Sequence, residues 1–363
     1  MYYMKKNISV LLSVVAGVLL LGAGCSPFGG NSAATTTGPA GMFVSSDKAE
    51  TWKQISILPQ PGEPKSLASV SVYKLEIDPH DSNTLYWGSR GNGLFYSYDL
   101  GKTWQLSPSP LNTGFIYSIA VNPRDKCIVY ASNGARILQS TDCTRSWTEV
   151  YREPAKDRVN SIVTDTFSPS RLYSLKSRGD LLVSNDTGIS WQLVKRLGTN
   201  AVSAYLDPYQ ENVIYVATEK KGLYRSDDGG KNWISTEKSL KTFPGATEFR
   251  RFVISPTKEG VVYWISTYGI LVSTDRGNTW AAFNTLNSPG SIKIYGFAIN
   301  PKNDLEMYYT GTIENRSVLY KTIDGGVTWI TKKLPSDQVP TALLIHPEKD
   351  DMLFLGFTVP PKQ

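Results

Sequence analysis

The sequence predicts an all-β fold, a seven-bladed β-propeller of four-stranded blades, and three observations carry that prediction. The first is a box reading Ser-x-Asp-x-Gly-x-Thr-Trp. Its fullest copy is Ser273 to Trp280, and others run Ser97 to Trp104, Ser140 to Trp147, Ser184 to Trp191, Ser226 to Trp233 and Thr322 to Trp329. A weaker copy, Ser45 to Trp52, has Ala49 where the Gly belongs. Seven of the nine Trp residues close a box, 42 to 52 residues apart, and a recurrent period of that size marks repeat architecture. The second observation is a Pro turn upstream in each repeat: Asp78-Pro79, Asn122-Pro123, Ser168-Pro169, Asp207-Pro208, Ser255-Pro256, Asn300-Pro301 and His346-Pro347. An apolar, aromatic segment follows each, such as Leu85-Tyr86-Trp87 or Val261-Val262-Tyr263. Proline ends a strand by removing a ladder donor, so the repeat reads strand, Pro turn, strand, short loop, strand, box, strand.

The third observation lies at the two ends. The last Pro turn has no box after it, and the first box has no Pro turn before it. The two halves make one blade, so the N- and C-terminal strands are expected to share it and close the ring. The C-terminal segment would supply the inner two strands and residues 42 to 57 the outer two. Closure of this kind covers both sheet edges that an open ring would expose.

Each part of the box has a physical reason. Asp in a tight turn accepts hydrogen bonds from backbone N–H groups ahead of it, Gly supplies positive φ, Ser back-bonds within the turn, and Trp packs beside it. The aspartates Asp47, Asp99, Asp142, Asp186, Asp228, Asp275 and Asp324 are therefore read as structural. At this spacing the boxes resemble the Asp-box, or BNR, repeat of sialidases, sortilin-type ectodomains and related propellers, over roughly residues 42 to 358. That resemblance implies the fold and leaves the function open, because the fold hosts enzymes and binders alike.

From the N-terminus, Lys5 and Lys6 precede an apolar run from Ile8 to Leu21, then Leu21-Gly22-Ala23-Gly24-Cys25. Small residues before a Cys resemble a bacterial lipoprotein signal, which implies that residues 1–24 are removed and Cys25 is diacylated. Gly22 departs from that pattern, the usual Leu standing one place earlier. An ordinary cleaved signal or an uncleaved anchor helix are the alternatives. Residues 25–41 form a lipidated tether rich in Ser, Gly, Ala and Thr, and residues 42–363 the propeller. The expected location is extracytoplasmic, on a bacterial membrane. The formal charge of +6 falls to +4 without Lys5 and Lys6, too mild to call for nucleic acid.

Cys127 opens a strand and Cys143 sits inside a box of the same blade, so both lie at one end of a hairpin. Export permits a disulfide between them, two free thiols being the alternative.

Binding chemistry is expected at the channel mouth, where the short turns within blades and the crossings between blades converge. Those segments supply Arg90, Tyr117, Arg178, Lys220, Lys221, Arg250, Tyr268 and Arg316, together with Phe115, the stretch Arg152 to Arg158, Phe249, Arg251 and Tyr295. Guanidinium forks between flat aromatic faces suit an extended anionic or polar partner, against the plainer reading of a solvated rim. No catalytic residue, cofactor or metal site is expected; the only histidines, His80 and His346, sit at Pro turns.

Sialidase resemblance would imply six blades and a Phe/Tyr-Arg-Ile-Pro sequence, and Phe249-Arg250-Arg251-Phe252 lacks the Ile-Pro. Xyloglucanase-type glycosidases are similar in repeat style, which would imply an acid and a base on two facing propellers, and only one propeller is read here. The off-box carboxylates are Glu76, Asp165, Asp180, Glu219, Glu248 and Glu314, and nothing in the sequence pairs any two. The photosystem II assembly factor of cyanobacteria, a lipidated seven-bladed propeller, is similar in size and blade count. The expectation is a monomeric, membrane-anchored binder of a protein or polysaccharide, with a xyloglucanase-like hydrolase as the alternative.

Overall fold

The structure is a computed structural model, and it describes residues 37–360. The expectations for the leader, for Cys25 and for most of the tether fall outside those residues. Seven four-stranded antiparallel sheets form the blades, and in six of them the strands run in simple consecutive order from the axis outward. The first six have their innermost strands at Val72–Ile77, Ser118–Val121, Val159–Thr164, Ala201–Leu206, Phe249–Ile254 and Lys293–Asn300. The seventh is the shared blade. Val339–Ile345 is its innermost strand, Leu353–Thr358 the next, Gly41–Ser45 the third and Lys53–Gln54 the outermost. Gly41 to Ser45 pair antiparallel with Phe357 to Leu353, which closes the ring as the complementary ends require. Lys48 ties this blade to the sixth through a 2.8 Å ion pair with Glu306.

A single helical turn, Glu237–Leu240, interrupts the all-β pattern in the crossing after the fourth blade, where Leu240 is fully buried. It is too short to carry helical periodicity, which is why the sequence gives no sign of it.

The core is distributed. Apolar side chains from facing sheets form seven clusters, one between each pair of neighbouring blades. Between the seventh and first blades, Met42, Phe354 and Ala342 meet Leu75, Trp87, Phe95 and Trp104. Box Trp residues join these interfaces: Trp104 donates to the Ile55 carbonyl at 2.7 Å and Trp147 to the Ser107 hydroxyl at 2.7 Å, each on the preceding blade. Burial of this kind contributes roughly 25 cal/mol per Å² of apolar surface, so losing one blade removes two interfaces at once.

All seven boxes fold alike. In the box around Asp275, the Ser273 hydroxyl donates to the carboxylate at 2.7 Å and accepts from the Gly277 N–H at 2.7 Å. The carboxylate also accepts from the Thr279 N–H at 2.9 Å and the Thr279 hydroxyl at 2.6 Å. The same set recurs around Asp47 with Ala49 and around Asp142 with Thr144. Two consecutive residues take positive φ in each box, Arg276 and Gly277 here, Lys48 and Ala49 in the shared blade. Ala49, at φ 70°, therefore holds a conformation that its Cβ disfavours. Hydrogen bonds to the charged form hold Asp47, Asp142, Asp186, Asp228 and Asp324 down at about 2, with the residue-51-type partner contributing most at Asp47 through the Thr51 hydroxyl.

The Pro turns carry a second repeated device. Asp78, Asn122, Asp207 and Ser255 each accept from the N–H groups two and three residues on. His346 does the same with Nδ1, accepting from Glu348 and Lys349 at 3.1 and 3.0 Å. In the third blade Asp165, not Ser168, takes this place, accepting from Phe167 and Ser168 at 2.9 and 3.3 Å. Pro169 is displaced within a longer turn there, so the Ser-Pro pair misplaced the marker. Cys127 and Cys143 are joined by a disulfide, and the Cys143 N–H donates to the Cys127 carbonyl at 3.2 Å.

Candidate functional site at the channel mouth

Antiparallel order sends the Pro turns and boxes to one face of the ring, and the within-blade turns and blade-to-blade crossings to the other. The second face is the mouth. Its rim is built by one backbone irregularity repeated around the axis. In six innermost strands the register with the second strand slips by a residue, leaving Tyr73, Asn160, Val202, Arg250, Tyr295 and Thr341 unpaired. A bulge of this kind re-aims a side chain, and all six line one cavity of about 390 Å³ at the mouth. Tyr117 takes the corresponding position in the second blade, its N–H donating to the Ser132 carbonyl at 2.8 Å just before the strand. Every one of the seven lies five residues before the polar residue of its Pro turn.

The seven divide by role. Thr341 donates to the Val72 carbonyl at 2.7 Å and Asn160 to the Ala201 carbonyl at 2.9 Å, so these two stitch neighbouring blades together. Three tyrosines face guanidinium groups: Arg90 lies 5.8 Å from the Tyr73 ring centroid, Arg158 5.5 Å from Tyr117 and Arg250 5.6 Å from Tyr295. Phe115 stacks on Tyr117 at 4.2 Å and meets Tyr73 edge-on at 4.6 Å, holding the first two pairs together. Arg250 keeps a buried Nε without a hydrogen-bond partner.

Below the rim the next inward-facing positions bring in Lys74, Glu76, Tyr205 and Arg251, where the mouth cavity meets a second space of about 460 Å³. Arg251 reaches across two blades, its Nε donating to the Tyr295 carbonyl at 2.8 Å and one Nη to the Thr341 carbonyl at 2.6 Å. Burial pushes the Lys74 ammonium down, Glu76 opposing and Arg251 reinforcing the shift. Burial likewise pushes the Glu76 carboxyl up against the pull of Lys74 and Arg251, and pushes Arg251 down. Glu76 is the only carboxylate among the residues that line the two spaces.

Of the residues expected at the mouth, the structure brings together Arg90, Tyr117 and Arg250 with Tyr73 and Tyr295. Arg178, Lys220, Lys221, Tyr268 and Arg316 stand apart from the cavity. Arg178 contacts the Lys156 carbonyl at 3.4 Å, Lys221 pairs with Glu237 at 3.1 Å, Tyr268 packs edge-on against Phe243 at 5.2 Å, and Lys220 and Arg316 are exposed. The within-blade turn joins the second and third strands, so it sits one to two strand spacings, roughly 5–10 Å, farther from the axis than the innermost strand. Arg90 reaches inward because it folds over Tyr73. Sequence reasoning missed Tyr73, Lys74, Tyr205 and the role of Arg251; the constant five-residue offset from the Pro turn was the signal that could have found the rim.

The other off-box carboxylates are dispersed. Asp165 belongs to its Pro turn and pairs with Arg171 at 3.2 Å, and Asp180 faces Arg196 at 3.7 Å. Glu219 accepts from Asn200 at 3.1 Å, Glu248 accepts from Thr267 at 2.8 Å, and Glu314 sits in a tight turn at φ 47°.

The chain is 26% identical over 258 residues to the xyloglucanase Xgh74A of Acetivibrio thermocellus, covering 64% of this chain and 27% of the relative. It is 24% identical over 344 residues to a probable oligoxyloglucan-reducing end-specific xyloglucanase of Neosartorya fischeri, covering 74% of this chain and 42% of that protein. The chain thus spans well under half the length of these relatives. Among solved structures, the GH74 enzyme of Niastella koreensis superposes with a TM-score of 0.65 at 16% identity, over 80% of this chain and 51% of the other. YCF48 from Cyanidioschyzon merolae superposes with a TM-score of 0.61 at 14% identity, over 83% of this chain and 98% of its own. These structural likenesses establish a shared fold. Residues 103–351, more than half of the chain, match the DUF6242 beta propeller domain, and the chain belongs to that family.

Proposed function

We propose that this protein is an extracytoplasmic binding or scaffold protein, tethered to a membrane through lipidated Cys25, whose propeller mouth receives a hydrophilic protein or polysaccharide. The observation that carries this reading is the rim. Six residues at one repeat position line a single opening with Tyr117 beside it, and Tyr73, Tyr117, Tyr295 and Arg250 form three tyrosine–guanidinium pairs with Arg90 and Arg158, outside the core clusters. A solved YCF48 with a D1 peptide bound has the same fold, a precedent for recognition by a lone propeller. A xyloglucan hydrolase is the second reading, favoured by the 26% identity to Xgh74A. Glycoside hydrolysis uses two carboxylates on either side of the scissile bond, and Glu76 lines the channel without a second.

The test is paired. Reducing-end release from a panel of neutral and acidic polysaccharides is measured beside equilibrium binding of the same polymers and of envelope proteins. Binding without release, weakened when Arg90 and Arg250 are neutralised, is expected. Sustained release that vanishes in Glu76→Gln would establish the hydrolase instead. Incorporation of labelled fatty acid into the full chain, and its loss in Cys25→Ala, tests the anchor.

A further inference from the structure

The chemistry of the rim narrows the ligand. Among the described residues no salt bridge joins Arg90, Arg158 or Arg250 to a carboxylate, whereas Lys74 has Glu76 beside it. Arg90 and Arg250 therefore face one opening in which Glu76 is the only acid, and Arg158 adjoins it over Tyr117, whose ring lies 6.5 Å from that of Tyr73. The aromatic faces are not bare platforms either. Each of Tyr73, Tyr117 and Tyr295 carries a guanidinium over its ring, so an entering ligand meets charge rather than a stacking surface.

We propose that the mouth binds a carboxylate-bearing polysaccharide, a polymer of uronic acid residues; this rests on the binding reading above and specifies its ligand. Three features favour such a polymer. The guanidiniums stand on separate blades, so they suit repeated charges along a chain better than one isolated carboxylate. Planar guanidinium matches carboxylate with two parallel N–H donors, and stacking on a phenol ring holds it in place beforehand. The phenol hydroxyls of the three tyrosines have no protein partner among the described residues, leaving them to pair with sugar hydroxyls. Tyrosine and arginine are also enriched at protein-binding hot spots, so an acidic peptide is the competing ligand that the experiment separates from the glycan. A neutral glycan would leave the guanidiniums of Arg90, Arg158 and Arg250 without counter-charge.

The experiment titrates the full chain with polygalacturonate, with the same polymer fully methyl-esterified, with xyloglucan oligosaccharides and with poly-glutamate, at low and moderate salt. Polygalacturonate should bind, its ester should bind at least about tenfold more weakly, and affinity should fall as salt rises. Arg90→Gln with Arg250→Gln should weaken binding by about tenfold or more, Arg250→Lys less, and Arg178→Gln with Arg316→Gln, on the outer turns, not measurably. Thermal melts establish that each variant is folded.

Equal binding of ester and acid would overturn the proposal, as would equal losses in the rim and outer-turn variants. Tight poly-glutamate binding lost in the rim variant would replace the glycan by an acidic peptide. Xyloglucan binding that depends on Tyr73 or Tyr295 but not on the arginines would leave the mouth as the binding site and sink the anionic ligand. Binding of any partner that ignores every rim variant would sink both.

Discussion

The two faces of the ring follow opposite rules. On the box face the same side-chain hydrogen bonds recur in seven turns, including two whose sequence departs from the pattern at Ala49 and Thr144. On the mouth face the backbone repeats, with a bulge in six innermost strands and Tyr117 at the matching position of the second blade, while the side chains it presents all differ in context: Tyr73, Tyr117, Asn160, Val202, Arg250, Tyr295 and Thr341. A turn that satisfies its own polar groups cannot vary without cost, whereas a bulged residue aimed into water can carry any side chain. Stability is thus built into one face, and chemical individuality is left to the other.

The largest effect should come from breaking the ring. A chain ending before Leu343 loses all of Leu353–Thr358 and the end of Val339–Ile345, and exposes two interfaces, so no cooperative unfolding transition should remain by circular dichroism. A shorter protein with a sharp transition would show instead that the blades are independently stable.

Next is the Cys127–Cys143 bridge, which closes a 16-residue separation. Cys127→Ser with Cys143→Ser should lower stability by about 3 kcal/mol in chemical denaturation, from loop-closure entropy alone. An unchanged midpoint would mean that the Asp142 turn holds the hairpin unaided.

Asp275→Ala removes the acceptor for the Ser273, Thr279 N–H and Thr279 hydroxyl donors and should cost roughly 1–3 kcal/mol. The pH dependence has a definite sign. Box carboxylates held near 2 against an ordinary 3.8 contribute stability that is complete above about pH 4 and lost as pH falls toward 2. Urea midpoints measured between pH 6 and pH 2.5 should fall across that window, and Asp275→Ala should flatten part of the fall. Equal acid sensitivity in Arg90→Gln would detach the effect from the box face.

His346 offers a finer version. Burial pushes it down from 6.5, and its Nδ1 must stay unprotonated to accept from Glu348 and Lys349. Its contribution is complete above 6.5 and is lost as pH falls below that value toward its lower folded pKa. His346→Asn keeps an acceptor, as Asn122 does in the second blade, and should remove the stability change between pH 7 and 5. A persistent change would place its origin elsewhere.

The smallest effect tests backbone strain. Ala49→Gly relieves a side chain at φ 70° and should raise stability by about 0.5–1 kcal/mol, part of the gain being offset by the entropy of glycine in the unfolded chain. A loss would mean that Ala49, buried in the interface with the sixth blade, contributes more by packing than it costs by strain.

Local chemistry explains what was legible beforehand. Seven boxes and seven Pro turns fixed blade number, strand order and the closure of Gly41–Ser45 on Leu353–Thr358, because each signal is a turn whose requirements are met within a few residues. Two errors of placement came from distance. Asp165 replaced Ser168 because turn length, not dipeptide identity, decides which side chain faces the free N–H groups. Arg178, Lys220, Lys221, Tyr268 and Arg316 had the right chemistry for a mouth but lie on turns outside its radius. Which six rim residues share the opening, that Arg251 spans two blades, and that Arg90, Arg158 and Arg250 cover three tyrosines depend on the innermost strands converging from all round the ring. That convergence exists only once the ring is closed, since it joins residues up to 269 positions apart through contacts such as Thr341 to Val72.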